Sequence, residues 1–111
     1  MNDTENILEW VRYLEEHYGE HVESIVFGEI DGYRQPKYKP IPPVGKVMSL
    51  DEAMPYIDVT FDNDWGGHGC PPFAAYTSNW IMSVYSYDGQ INFFFIRRNP
   101  IDGYVPYMHG T

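Results

Sequence analysis

One cysteine in 111 residues leaves Cys70 without a partner inside the chain. The fold must stand without disulfides, which suits a reducing compartment, and a cytoplasmic location is expected. Positive charge is scarce as well. Seven Lys and Arg against sixteen Asp and Glu give a formal net charge of -9. Nucleic-acid phosphates and anionic membrane surfaces both attract clustered Lys and Arg, so neither is expected as a direct partner. No run approaches the ~20 apolar residues of a membrane span. The opening MNDTENILEW has no basic segment ahead of an apolar one, so it does not read as a signal peptide. There is no internal repeat, no Walker or Rossmann glycine loop, no G-x-S-x-G, and no paired carboxylates that stand out among the acids. Neither enzymatic activity nor a cofactor is expected.

Aromatics are plentiful: ten Tyr, six Phe and three Trp make 17% of the chain. Such side chains fill small cores, and Tyr and Trp are also enriched where proteins meet. At 43% hydrophobic and 21% charged, residues 1–111 have the composition of one folded globular domain.

Ile7, Trp10, Val11, Leu14 and Tyr18 recur at helical spacing and predict an amphipathic helix. Asn2, Asp3 or Thr4 is expected to cap it, Glu5 and Glu9 suit its positive end, and Gly19 is a natural stop. His17 and His21 stand four apart, but Gly19 between them breaks the common face that a metal pair would need. ESIVFGEI (Glu23–Ile30) reads as a strand. Residues 31–45 form a Pro-rich loop. With Lys46 it gathers four of the seven basic residues, the others being Arg34, Lys37 and Lys39, beside Tyr33 and Tyr38. Ser49 and Glu52 make a capping box, and Pro55 is expected to limit the helix to little more than a turn. IDVTFD (Ile57–Asp62) alternates as a half-buried strand.

Asn79–Tyr87 and Gln90–Arg97 flank Asp88-Gly89, a two-residue hairpin loop that sets Tyr87 opposite Gln90. One face of that hairpin carries Trp80, Met82, Val84, Ile91, Phe93 and Phe95. The other carries Ile81, Tyr85, Tyr87, Phe94 and Ile96. Both faces are apolar, so either both are covered or one is displayed to a partner. The tail, 98–111, reads as irregular. The expected fold is α+β: an N-terminal amphipathic helix and a short second helix on a roughly four-stranded antiparallel sheet, with the C-terminal hairpin at or near its centre.

NDWGGHGCPP (Asn63–Pro72) concentrates the residues that could carry chemistry. Asp62, Asp64, His68 and Cys70 offer oxygen, nitrogen and sulfur donors within nine residues, and are the candidate metal ligands. The paired knuckles of a zinc site are missing, and the calcium-loop pattern breaks at Gly66. Cys70 needs a nearby cation or base to act as a nucleophile, and the acids around it should raise its pKa. Glycines and Pro71-Pro72 make the stretch equally readable as a conformational device, anchored by Trp65 and Phe73.

The functional expectation is a small acidic protein-binding module. It would inhibit or neutralise another protein, a basic one for preference, in the manner of immunity proteins, antitoxins or phage anti-defence proteins, with its acids able to imitate nucleic-acid phosphate. The expected contact residues are Tyr33, Tyr38, Tyr85, Tyr87, Phe94, Asp62 and Asp64. The alternatives are a metal- or thiol-dependent enzyme centred on residues 62–70, and an assembly subunit that oligomerises through the aromatic hairpin. Monomer and homodimer are both open.

Overall fold

The helical spacing of the first segment is realised in α1, Ile7–Tyr18, in a computed structural model that describes residues 4–29, 38–63, 69–87 and 90–106. Ile7, Leu8, Trp10, Val11 and Leu14 are buried along one side of it. At roughly 1.5–3 kcal/mol per large apolar side chain, that face is worth on the order of ten kcal/mol before entropy is subtracted. Gly19 ends the helix in the left-handed conformation at φ 66°, and its N–H donates to the Glu15 carbonyl at 2.8 Å. The start differs from expectation. Asn6 is the cap, its side chain accepting from the Glu9 N–H at 3.3 Å. Thr4–Asn6 form β1, whose extended backbone pairs antiparallel with β3, Thr60–Asp62, so the helix cannot begin earlier.

α2 runs from Leu50 to Ile57 behind the expected Ser49–Glu52 capping box. It is longer than Pro55 was expected to allow. The proline costs the N–H that would reach the Asp51 carbonyl, but Asp51 and Pro55 are both exposed, so the missing bond falls on the solvent side of the helix rather than in the core. Because Ile57 ends the helix, the strand expected over 57–62 shrinks to β3.

The main sheet has four antiparallel strands in the order β2, β4, β5, β6: Ser24–Phe27, Phe73–Tyr76, Trp80–Tyr87 and Gln90–Arg97. The α+β architecture, with two helices on a four-stranded antiparallel sheet and a C-terminal hairpin, is the one expected. The hairpin register is also as expected, with Tyr87 opposite Gln90 and Trp80 opposite Arg97. Its place is different. β4 (FAAY) pairs with both β2 and β5, and this pushes the hairpin outward, so that β6 is an edge strand.

One core cluster joins the helices to the inner sheet face through Val11, Leu14, Ile25, Phe27, Ala53, Ile57, Phe73, Ala75 and Met82. Of the two hairpin faces, the one bearing Trp80, Met82, Phe93 and Phe95 is covered by α1. The opposite face carries Tyr76, Ile81, Phe94 and Ile96 in register, and no helix or strand lies over it among the described residues.

Candidate functional site

Asp62 and Cys70, two of the four candidate ligands, fall in different surroundings. Asp62 is exposed and lines a groove of about 370 Å³ with Tyr38, Lys39, Thr60, Phe61 and Gly69. Cys70 is 2% exposed and belongs to the core cluster. Its thiol donates to the neighbouring Pro71 carbonyl at 3.3 Å. Burial pushes that thiol up to about 12, and no cation among the described residues offsets it. Among the described residues the cause is desolvation rather than the carboxylates expected to raise it. A thiol of that pKa carries almost no thiolate at neutral pH. Asp64 and His68 lie outside the described residues, as do Trp65, Gly66 and Gly67. No group of three or more His, Cys, Asp or Glu is placed to hold a metal ion among the described residues. His17 and His21 are separated by the helix stop, and His21 Nδ1 sits 3.6 Å from Glu15.

A polar knot fixes the start of β5. Glu20 accepts from the Asn79 side chain at 2.6 Å, the Thr77 hydroxyl at 2.6 Å and the Asn79 N–H at 3.1 Å. Those bonds, the Asn79 side chain first and Thr77 second, hold the Glu20 carboxyl below the usual carboxylate range. The Thr77 oxygen also accepts from the Trp80 N–H at 2.9 Å. Arg98 closes the other side, donating to Glu23 at 2.9 Å and to the Thr77 carbonyl at 2.7 Å. The first residue of β5 is thereby held on both flanks, and Trp80 is the side chain so presented.

Around Trp80 the aromatics form a continuous surface. Tyr18 stacks on Trp80 with centroids 4.0 Å apart and planes 12° from parallel. Tyr104 meets the same indole edge-on at 5.9 Å, and the Arg97 guanidinium lies 5.3 Å from its centroid. Phe95 contacts Tyr18, His17 and Tyr13, and Phe93 contacts Tyr13 and Trp10. Between these rings lies a groove of about 470 Å³, lined by Tyr13, Tyr18, Trp80, Tyr85, Phe93, Phe94, Phe95 and Tyr104. Tyr13 is 49% exposed at its rim. Glu9 and Glu16, both exposed, stand one helical turn to either side of Tyr13.

The expected contact residues are divided among several places. Tyr85 and Phe94 line the aromatic groove and touch each other at 6.1 Å. Tyr87 is 52% exposed at the hairpin end. Tyr38, expected on a displayed arm, is instead buried at 8% and lines a small cavity with Ile7, Tyr56 and Phe61. Tyr33 lies outside the described residues. The sequence assigns Tyr13 no role, offers His17 only as half of a metal pair, sets Trp80 on one face of the hairpin and leaves Tyr104 in the irregular tail.

No protein-family model matches the chain, and no curated protein or solved structure is significantly similar to it.

Proposed function

We propose that this chain is a small acidic protein-binding module that inhibits or neutralises a basic partner protein through its aromatic groove. The observation that carries the proposal is the groove itself: rings at its rim are left accessible beside the carboxylates of Glu9 and Glu16. Interface energy concentrates in Tyr, Trp and Arg anchors, and here Tyr13, Trp80, Tyr104 and Arg97 come together. The net charge of -9 favours encounter with a positively charged surface and repels nucleic acid.

Affinity capture from lysate of the native host tests this. A stoichiometric basic partner is expected, retained at low salt and lost with Tyr13→Ala. Recovery of no stable partner, or of one that Tyr13→Ala holds as well as the parent chain does, would refute the proposal.

A further inference from the structure

The two edges of the main sheet are finished differently. Along β2, Ile25 and Met48 exchange backbone bonds at 2.8 and 2.9 Å, and the Gly45 N–H donates to Phe27 at 2.8 Å. That edge is closed by the chain's own segment. Along β6, closure among the described residues stops after one residue. The Asn63 side chain donates to the Ile91 carbonyl at 2.8 Å and accepts from the Ile91 N–H at 2.7 Å. It imitates one rung of a neighbouring strand.

Those two bonds also fix which way the rest of β6 points. Backbone groups in an antiparallel pair alternate between the partner strand and the outside. Ile91 points outward, so Phe93 and Phe95 do too, while Phe94 and Ile96 face Ser83 and Ile81 on β5. The Arg98 N–H bond to the Asn79 carbonyl at 2.8 Å keeps the same alternation at the far end. No partner for the outward N–H and C=O of Phe93 and Phe95 is present among the described residues. Edge strands are ordinarily protected by charge, proline or brevity. β6 is eight residues long and has no Lys, Glu, Asp or Pro from Gln90 to Ile96.

We infer that the open edge of β6 receives an extended, basic segment of a partner protein as a fifth strand, an inference that rests on the protein-binding function proposed above. Strand addition takes its affinity from main-chain hydrogen bonds and its selectivity from alternate side chains. The incoming strand would begin where Asn63 leaves off. On the helix side it would run beneath Tyr13, between Glu9 and Glu16, where Lys or Arg is favoured. A second copy of this chain fits the edge worse, because it would bring its own Glu9 and Glu16 to the same place and oppose -9 with -9.

The probe is a nine-residue synthetic peptide alternating Lys and Val. Its controls are a fully N-methylated counterpart, which keeps the charge but has no N–H, and a Glu–Val peptide. Hydrogen exchange followed by NMR on the full chain is the readout. In the free chain, Phe93 and Phe95 should exchange quickly and Phe94 and Ile96 slowly. Saturating Lys–Val peptide should slow Phe93 and Phe95 at least tenfold, and neither control should. Glu9→Gln with Glu16→Gln, both on the helix surface, should weaken the peptide several-fold while leaving the exchange pattern of the free chain intact. Binding that leaves Phe93 and Phe95 unprotected would overturn the inference, as would equal binding by the N-methylated peptide. So would protection in the free chain: if it rises with protein concentration, the occupant is a second copy, and if it does not, the chain closes its own edge. A captured partner that lowers neither exchange rate overturns the edge inference alone and leaves the protein-binding function standing.

Discussion

Replacing Asn63 with Ala removes both hydrogen bonds to Ile91 at once. Asn63 and Ile91 are each 8% exposed, so water replaces the lost amide only in part. A buried backbone group left unsatisfied costs about 1–3 kcal/mol. Two such groups at a strand edge, one of them partly rehydrated, give ~2–4 kcal/mol. Urea unfolding measures this directly. With a slope of about 1–3 kcal/mol per molar for a small domain, the midpoint should fall by roughly 1–4 M with the slope unchanged. Asn63→Asp sharpens the test. Its carboxylate still accepts from the Ile91 N–H, but it sets a second oxygen against the Ile91 carbonyl. At neutral pH it should be at least as damaging as Ala. The repulsion raises the folded-state pKa of the new carboxyl above its unfolded value, so the damage is greatest at high pH and shrinks as acidification supplies a proton to donate. An Asn63→Ala chain within about 0.5 kcal/mol of the parent, the size of an ordinary surface change, would refute the reasoning. So would an Asn63→Asp chain whose deficit relative to the parent does not change with pH.

Cys70 should be inert to a thiol reagent at pH 8 in the native chain and react fully in urea, since burial holds its pKa near 12; rapid native labelling would contradict its place in the core. Glu20 has a folded-state pKa below the ordinary value of 4.5, so its contribution is present above about that pH and lost as pH falls through the lowered value. Stability followed from pH 6 to pH 3 should therefore drop less steeply in Glu20→Gln than in the parent, and parallel curves would remove the Thr77–Asn79 knot as the cause. Gly69→Ala should destabilise by about 1–3 kcal/mol, because an added Cβ would lie 2.8 Å from the Asp62 carbonyl oxygen and 3.2 Å from the Phe61 ring; a thermal midpoint unchanged from the parent would show that the loop relaxes freely.

Periodicity made α1 readable, because five apolar side chains at helical spacing can share a face in only one way. The Asp-Gly pair made the hairpin register readable, because a two-residue loop sets the residues before and after it opposite each other, as Tyr87 and Gln90 are; the pair itself lies outside the described residues. Both signals are local. β4 was not readable, because FAAY is four residues with two small ones, and only its pairing with β2 and β5 defines it. With β4 missing, the hairpin could not be placed at the edge, nor could Asn63 be seen as a strand surrogate. Its partner Ile91 is 28 positions away and is engaged through backbone atoms that the sequence does not distinguish. The groove was half visible: Tyr85 and Phe94 follow from the hairpin, whereas Tyr13 and Tyr104 join it only through tertiary packing. Cys70 shows the opposite failure. Its neighbours His68, Asp62 and Asp64 suggested chemistry, but tertiary packing placed the thiol in the core.

The stack of Tyr18 on Trp80, 4.0 Å apart and nearly parallel, has an optical consequence. Two aromatic chromophores so close and so rigidly oriented couple their excited states, and Tyr18 passes absorbed light to the indole. The coupled pair should give Trp80 a distinct near-ultraviolet dichroism band. Arg97 over one side and Tyr104 at the edge shield the indole from water. A ligand entering beside Phe95 would disturb that arrangement before it disturbed the backbone, so the chain carries a built-in, label-free reporter of its own occupancy.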